Sequence, residues 1–396
     1  MAEALAARGS RAGGSASPVE FKSVTKRYFG QAEPAIESLS FAVPAGDICV
    51  LVGPSGCGKT TALRLVNRMI ELTEGDILIA GESIRARPAA ELRRGIGYVI
   101  QQIGLFPHLT VGANIATVPK LLGWDRRRIA SRVQELLDLI SLPPEMSKRY
   151  PAQLSGGQRQ RVGVARALAA DPPLMLMDEP FGAIDPINRE RLQNQFLRLQ
   201  SEIKKTILFV THDIDEAIKM GDRVAVLQKG GKLAQYATPA ELLMSPANAF
   251  VEDFVGADRA LKRLSLLRVR DIDLWKAPLV RVGEPTAKAR AAIGEADLPH
   301  PLVIDADGRP IGWLSDRDLA SDVVTGTPDT TASPLVELDD VLRDALSDLL
   351  QSETQYAPVV DESGRVAGVL SIAIISEFLS SDDAAELAVD PAERVS

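Results

Sequence analysis

The sequence predicts an α/β fold, and two observations carry that prediction. Between about residues 19 and 255, short apolar runs alternate with helical patterns, as in proteins whose helices cover a largely parallel sheet. In the last third, a repeat of one supersecondary pattern predicts a second, smaller α/β module. The expected architecture is therefore a mixed-sheet core with a helical subdomain, followed by a tandem α/β unit.

Four near-continuous apolar runs are predicted to be strands buried on both faces. They are ICVLVG (Ile48–Gly53), LMLMD (Leu174–Asp178), TILFVTH (Thr206–His212) and RVAVL (Arg223–Leu227). Two other stretches predict amphipathic helices, because their apolar residues recur at helical spacing. The predicted buried faces consist of Ile129, Val133, Leu136, Leu137 and Ile140 in the first stretch, and of Leu192, Phe196, Leu199 and Ile203 in the second.

The repeat in the last third has a fixed offset of 56 residues. Pro278–Val280 recurs as Pro334–Val336, and Gly308–Arg309 recurs as Gly364–Arg365. Each copy contains an apolar start, a helical stretch, an apolar strand that ends in aspartate, a glycine turn and a second strand. We expect the two copies to pack against each other, since neither buries its apolar face alone.

Composition excludes several classes of protein. The chain has 396 residues, enough for two or three domains, and a formal net charge of −8, which argues against a broad nucleic-acid-binding surface and predicts no nucleic-acid partner. Two cysteines exclude a disulfide framework. No run approaches the roughly 20 apolar residues that span a bilayer. Residues 1–18 are predicted to be a disordered leader and residues 381–396 a solvated acidic tail.

The segment GPSGCGKTT predicts a phosphate-binding loop, because it follows a predicted strand and precedes a helical run. Its glycines allow backbone N–H groups to turn toward phosphate oxygens, and the next helix directs its positive end at the same anion. Lys59 supplies a charge for the β- and γ-phosphates, and the Thr60 hydroxyl is a ligand for Mg²⁺. The candidate nucleotide-binding residues here are Gly53, Pro54, Ser55, Gly56, Cys57, Gly58, Lys59, Thr60 and Thr61.

The run LMLMDEP places two carboxylates at the end of a predicted buried strand. Asp178 is a candidate ligand for Mg²⁺, directly or through water. Glu179 is a candidate general base that accepts a proton from an attacking water.

The segment LSGGQRQRV (Leu154–Val162) resembles the signature sequence of ABC-transporter nucleotide-binding subunits. Its spacing from the two preceding motifs also matches that family, and the resemblance covers about Val19 to Val255. It implies a P-loop NTPase fold of the ABC type, with ATP and Mg²⁺ as cofactors. It also implies that Ser155, Gly156 and Gly157 meet the γ-phosphate held by another copy, so that a head-to-tail homodimer encloses two ATP molecules.

Other residues resemble functional positions of that family. Gln101 resembles the glutamine that senses Mg²⁺ and the attacking water, with the neighbouring Gln102 as the other candidate. His212 resembles the histidine that contacts the γ-phosphate, and Asp185 resembles the aspartate of the segment called the D-loop in that family.

Tyr28 resembles the aromatic residue that stacks on adenine, and Phe29 competes with it for that role. The apolar segment after Gln102 resembles the region that receives the permease's coupling helix. Leu105 and Phe106 are the candidates for that docking face.

The repeat resembles a pair of CBS modules. Together with IGYVIQQIGLFPHLTV and NIATVPKLLGWD, it makes the chain similar to the ATPases of osmoprotectant importers, which take up glycine betaine, proline betaine, choline or carnitine. The resemblance implies integral membrane permease subunits and, indirectly, an extracytoplasmic substrate-binding protein as partners. It also implies a peripheral location at the cytoplasmic face of the membrane. The alternatives are an importer ATPase for another solute, such as an amino acid, and a soluble regulatory ATPase without a permease.

The predicted domains are the cassette at 19–256, a first CBS copy at 273–325 and a second at 332–380. In the first copy, Ser315 and Asp318 match the Ser/Thr-x-x-Asp element of nucleotide-binding CBS modules. In the second copy, Ser371 is followed by Ile374 where the aspartate is expected. The expected ligand of the module is a nucleotide or a cyclic dinucleotide, and the alternative is a pure dimerisation module.

Overall fold

The fold is taken from a computed structural model. It describes residues 16–100, 104–182, 184–293, 298, 300–328, 330–352 and 354–380, without the side chains of residues 186–188 and 380. Most of the predicted leader, the acidic tail, Gln101 and Gln102 lie outside the described residues. The chain divides into two compact units, with the division after Val255.

Two sheets form the framework of the first unit. The strands are β1 (Val19–Lys26), β2 (Ile36–Val43), β3 (Ile48–Val52), β4 (Glu74–Ile79), β5 (Glu82–Ser83), β6 (Ile96–Val99), β7 (Leu174–Asp178), β8 (Thr206–Val210), β9 (Arg223–Gln228) and β10 (Lys232–Ala237). The larger sheet has the order β10-β9-β3-β8-β7-β6 and is parallel except for β10. The smaller sheet, β2-β1-β4-β5, is antiparallel. The predicted α/β class and mixed-sheet core are confirmed.

The central strands place three functional loops at one edge of the larger sheet. Every residue of β3, β7 and β8 is buried, as their continuous apolar runs predict. Because these strands are parallel, their carboxyl ends lie on the same side. The loop that begins at Gly53, the turn at Glu179 and the segment with His212 follow those ends directly.

The helices of the first unit cover the sheet and build a helical subdomain. They are α1 (Lys59–Val66), α2 (Ala89–Arg94), α3 (Val111–Ile115), α4 (Thr117–Leu121), α5 (Arg126–Leu139), α6 (Gly156–Leu168), α7 (Pro186–Ile203), α8 (Ile214–Met220), α9 (Pro239–Met244) and α10 (Ala249–Val255), with 3-10 turns at Pro144–Lys148 and Pro151–Gln153. Helix α1 packs on β7 and β8, whereas α3 and α5 both pack on α6. Among the described residues, no helix combines the length and apolar character needed to cross a bilayer.

The second unit contains the two copies of the repeat. Its strands are β11 (Leu279–Arg281), β12 (Leu302–Ile304), β13 (Pro310–Trp313), β14 (Thr330–Thr331), β15 (Val336–Glu337), β16 (Tyr356–Val360) and β17 (Val366–Ser371). Its helices are α11 (Arg259–Leu264), α12 (Thr286–Ile293), α13 (Asp316–Leu319), α14 (Leu342–Gln351) and α15 (Ile372–Ser380), with a 3-10 turn at Val269–Asp271. In both copies the first strand pairs in parallel with the second, which pairs antiparallel with the third.

The glycine turns of the two copies pack against each other reciprocally. A Cβ built on Gly308 would lie 3.7 Å from Arg365, and one built on Gly364 would lie 3.5 Å from Arg309. The amide of Val366 also donates to the carbonyl of Gly308 at 3.1 Å. The copies therefore meet through equivalent residues, as expected for a repeat that buries its faces against itself.

The segment before the first copy packs into the core of the second. Leu264, Leu267, Val269 and Ile272 belong to the same apolar cluster as the strands of the second copy. Trp275 also exchanges both backbone hydrogen bonds with Val369 of β17. The sheet of the first copy includes a further strand, β14, which lies after residue 325 and pairs with β13. The predicted bounds include residues 264–272 and 330–331 in neither copy, whereas they place Trp275 in the first.

Candidate active site

The loop between β3 and α1 is shaped by glycines in close contact with neighbouring backbone. A Cβ on Gly58 would lie 2.5 Å from the carbonyl oxygen of Ala35, and Gly58 has a φ of +102°. A Cβ on Gly53 would lie 2.1 Å from the carbonyl oxygen of Leu227. Cys57 is buried in the apolar core, so it contributes its backbone to the loop. Only glycine fits both sites, which fixes the path of the loop.

Lys59 and the start of α1 direct positive charge into this loop. Lys59 is 6% exposed, and its Nζ donates hydrogen bonds to the carbonyls of Gly53 at 2.6 Å and Pro54 at 3.0 Å. The amides in the first turn of α1, including those of Thr60 and Thr61, have no acceptor within the helix. An ammonium and a row of N–H groups without acceptors in their own helix suit a polyphosphate.

Thr60 and Asp178 meet beside the loop, as a magnesium site requires. Thr60 Oγ1 donates a hydrogen bond to Asp178 Oδ1 at 3.0 Å. Asp178 is 7% exposed, and burial raises the pKa of its carboxyl above the usual value, an effect that the Thr60 hydrogen bond opposes. A hydroxyl and a carboxylate oxygen are ligands that suit Mg²⁺, whose remaining positions are usually filled by water and phosphate. The residues present therefore fit the ion.

Glu179 and His212 form the second pair of the site. His212 Nδ1 lies 3.2 Å from Glu179 Oε1, and the amide of Glu179 donates to the carbonyl of Val210 at 2.9 Å. Glu179 has a φ of +44°, in the left-handed region that non-glycine residues rarely occupy. A residue persists in this conformation only where the surrounding structure restrains it. Such strained residues are typical of functional sites.

Ser155 lies at the exposed start of α6, which it caps. Its Oγ accepts a hydrogen bond from the amide of Gln158, whose side-chain oxygen accepts one from the amide of Ser155. This capping box leaves Gly156 and Gly157 at the helix start. Among the described residues, no hydrogen bond joins this segment to the phosphate loop of the same chain. Ser155 and Gly156 are instead exposed at the surface of the chain.

Two further candidates lie in turns of the first unit. Asp185 is exposed just before α7, and its carbonyl accepts the amide of Arg189 at 2.9 Å. Tyr28 lies in the turn after β1, with Lys26 Nζ 5.0 Å from its ring centroid. That turn is closed by a hydrogen bond between the Ala35 amide and the Lys26 carbonyl. Since Ala35 also lies against Gly58, the turn ends next to the phosphate loop.

The candidate docking loop is organised by a residue that sequence analysis missed. Asn114 is fully buried, and its amide nitrogen donates to the carbonyls of Phe106, Leu109 and Thr110 at 3.0–3.1 Å. Its oxygen accepts the Phe106 amide at 2.8 Å. Phe106 remains 41% exposed, whereas Leu105 is half-buried. The missed signal is a polar residue among the apolar positions of α3.

Comparison with known proteins identifies the family. Residues 36–182 match the family model described as ABC transporter, and residues 327–381 match the CBS domain model. The osmoprotectant import ATP-binding protein OsmV of Salmonella typhimurium is 47% identical over 371 residues, which cover 92% of this chain and 96% of that protein. The glycine betaine/carnitine/choline transport ATP-binding protein OpuCA of Bacillus subtilis is 42% identical over 366 residues, which cover 91% of this chain and 96% of that protein.

A solved structure resembles the first unit. The dimeric ATP-binding cassette MJ0796, in a post-hydrolysis state with ADP and Pi, matches with a TM-score of 0.50 and 34% identity. The match covers 56% of this chain and 98% of that cassette. The family that the sequence motifs indicated is thus confirmed, and the chain belongs to the ATP-binding subunits of ABC transporters, in the family of the osmoprotectant importers.

Proposed function

We propose that this chain energises the uptake of a quaternary-amine osmoprotectant, such as glycine betaine, proline betaine, choline or carnitine, through a separate membrane permease. As an ABC ATP-binding subunit it hydrolyses ATP and couples hydrolysis to transport. The observation that carries the choice of solute is the similarity to osmoprotectant, carnitine and choline ATP-binding subunits, which extends through both units of the chain. Selection of the solute itself lies mainly in the permease and its external binding protein.

Hydrolysis takes place between two copies of the chain arranged head to tail. In one copy, Lys59 and the amides of α1 hold the β- and γ-phosphates, and Tyr28 stacks on adenine. The twin copy brings Ser155 and the start of its α6 to the same γ-phosphate, with Asp185 at the interface. The outward position of Ser155 supports this arrangement, since it leaves the helix start accessible to a partner.

Glu179 acts as the base, and His212 acts on the γ-phosphate. Glu179 accepts the proton of the attacking water, while its contact with His212 orients the carboxylate. Thr60 and Asp178 are the described residues that would hold Mg²⁺, with Gln101 as a further candidate outside them. When bound, the ion supplies charge neutralisation at the phosphate oxygens. Closure of the two copies then drives the permease between its two states.

The docking surface for the permease is the loop from Gly104 to Thr110. Its exposed Phe106 is held by Asn114, and Arg166 of α6 donates to the Gly104 carbonyl at 2.6 Å. A rigid loop with an exposed aromatic residue suits the anchor of a protein interface. Through this contact the chain sits peripherally at the cytoplasmic face of the membrane.

The CBS module binds a nucleotide in a cavity between its two copies. The cavity has a volume of about 280 Å³ and is lined by His300, Trp313, Leu314, Ser315, Thr330, Thr354 and Tyr356. Trp313 is 1% exposed, and neither its Nε1 nor His300 Nδ1 has a hydrogen-bond partner among the described residues. Buried polar atoms normally have partners, so a base with acceptor and donor groups suits the cavity.

The proposed function is tested by uptake into vesicles that contain the chain with its permease and binding protein. We expect ATP-dependent uptake of labelled glycine betaine, loss of hydrolysis and uptake in Glu179→Gln, and retained ATP binding in that variant. Glu190→Gln is the control, because Glu190 is an exposed carboxylate of α7 paired with Lys219. Uptake of an amino acid in place of quaternary amines would contradict the solute. Parent-like hydrolysis by Glu179→Gln would contradict the base.

A further inference from the structure

The side chain of Gln160 joins two parts of the site that sequence analysis treated separately. Gln160 lies on α6, five residues after Ser155, and is 2% exposed. Its Nε2 donates a hydrogen bond to the carbonyl of Pro180. Pro180 directly follows Glu179, so one buried hydrogen bond connects the helix that begins at Ser155 to the turn that carries the proposed base.

The turn at Glu179 needs such support. Its backbone is held by the Glu179 amide on Val210 and by the Gly182 amide, which donates to the Glu179 carbonyl at 3.2 Å. The left-handed φ of Glu179 is unfavourable for a residue with a Cβ, so the turn persists only when its neighbours restrain it. The bond from Gln160 restrains the next carbonyl along the chain.

Packing alone does not explain a glutamine at this position. The neighbouring buried residues of α6 are apolar or glycine, such as Val162, Gly163 and Val164. The amide oxygen of Gln160 has no hydrogen-bond partner among the described residues. Burying an amide with only half of its polar groups bonded costs free energy, which a methionine of similar length would avoid. The residue is therefore suited to holding Pro180 rather than to stabilising the helix.

We propose that Gln160 is a positioning residue, which links α6 to the base Glu179 of the same protomer through the Pro180 carbonyl. This inference rests on the proposed roles of Ser155 and Glu179. In the head-to-tail dimer, Ser155 serves the ATP bound by the twin, whereas Glu179 serves the ATP bound by its own protomer. Gln160 thus connects the two nucleotide sites of the dimer through a single protomer.

The test compares two buried glutamines in the assembled transporter. Gln160→Met should lower kcat for ATP about tenfold, with KM for ATP unchanged, because the base is misplaced while the phosphate loop is intact. Its melting temperature should equal or exceed that of the parent. Gln200→Met is the matched control, since Gln200 uses both amide groups, on Gly46 and Lys205. These partners precede β3 and β8, at the opposite edge of the parallel sheet from the base. That variant should melt lower and keep its kcat. A lowered melting temperature with normal kcat in Gln160→Met would overturn the proposal.

Mixed dimers test whether Gln160 acts on its own protomer. One protomer carries Glu179→Gln, so the other supplies the one intact base. Adding Gln160→Met to the protomer with the intact base should lower hydrolysis about tenfold. Adding it to the protomer with Glu179→Gln should leave the rate of the mixed dimer unchanged, and an equal loss in both arrangements would refute the proposal. Hydrolysis by the Glu179→Gln homodimer would instead contradict the proposed base, whatever Gln160 does.

Discussion

Individual side chains in the site are held by contacts that also constrain their chemistry. The Lys59 ammonium is buried yet bonded to two carbonyls, so its charge is stabilised before any phosphate binds. Asp178 is buried, and the hydrogen bond from the neutral Thr60 hydroxyl offsets the effect of burial only in part, so its ionised form is less well stabilised. An ionised Asp178 would therefore suit a cation but lower the stability of the folded protein. Such a loss of stability is common at functional positions.

A half-buried carboxylate, Asp47, directly precedes β3 and allows a test of pH dependence. Partial burial and, to a smaller extent, the Asp222 carboxylate raise the pKa of Asp47 to about 6, against the opposing effect of Arg223. Because the folded protein holds this proton more tightly than the unfolded chain, the ionised carboxylate lowers stability above about pH 6. That cost disappears as the pH falls toward the usual value of about 4.

We therefore expect Asp47→Asn to raise the free energy of unfolding by about 1 kcal/mol at pH 8, after allowance for the partial exposure of the carboxyl. The gain should shrink as the pH falls from 7 to 5. Urea denaturation at pH 8, 6.5 and 5 measures both effects. Glu74→Gln, which removes an exposed carboxylate, should change the free energy of unfolding little at any of these three pH values. A gain that does not vary with pH would show that Asp47 is not the titrating group.

Candidate functional residues of both units lie at helix and loop ends. Ser155 caps α6 and Ser315 caps α13, each through a reciprocal bond with the residue three positions later. In the second copy, Ser371 caps α15 by accepting a hydrogen bond from the Ile374 amide. Because residue 374 is isoleucine, its side chain cannot return a hydrogen bond to Ser371. The Ser-x-x-Asp pattern of the first copy is thus a capping box whose serine also lines the cavity.

Asn114 gives a prediction at the level of one loop. Asn114→Ala removes the side-chain contacts that organise the loop and deprives the Phe106 amide and the Leu109 carbonyl of their Asn114 partner, so we expect a loss of about 2 kcal/mol in the free energy of unfolding. Copurification of the permease should weaken with it. Phe106→Ser separates docking from folding, because an exposed side chain is lost and the melting temperature should stay unchanged while copurification weakens. Normal assembly of both variants would exclude this loop from the docking surface.

At the scale of the molecule, the two copies of the repeat form a single packed module rather than two independent domains. Equivalent glycine turns pack reciprocally, and the segment that leaves the cassette lies in the core of the second copy. Trp313 of the first copy packs edge-on against Tyr356 of the second, with ring centroids 4.8 Å apart. A ligand of the proposed kind in the cavity between them would contact both copies at once, so its binding would stabilise the module as a unit.

Calorimetric titration of the full chain tests the ligand of this cavity. Lys59→Ala removes binding by the cassette, and adenine nucleotides and cyclic dinucleotides are then added in turn. We expect heat with at least one of them and about tenfold weaker binding after Trp313→Phe, which removes the buried indole N–H. Trp124→Phe, which changes a tryptophan of the first unit, should bind as the parent does. The absence of heat and of any change in stability with every nucleotide would favour a dimerisation module.

The sequence by itself determined the local chemistry. Continuous apolar runs specify buried strands, so the predicted strand at Leu174–Asp178 coincides with β7. Glycine spacing specifies the phosphate loop, because only glycine tolerates its backbone contacts. The 56-residue repeat specifies two copies with the same strand pairing.

Only the tertiary structure decided which of these residues meet. Thr60 and Asp178, Glu179 and His212, and Gln160 and Pro180 are brought together by the order of parallel strands and by helix packing. The placement of Leu264 and Val269 in the core of the second copy is likewise a matter of packing. Such contacts join residues far apart in the chain, so no local pattern of side chains encodes them.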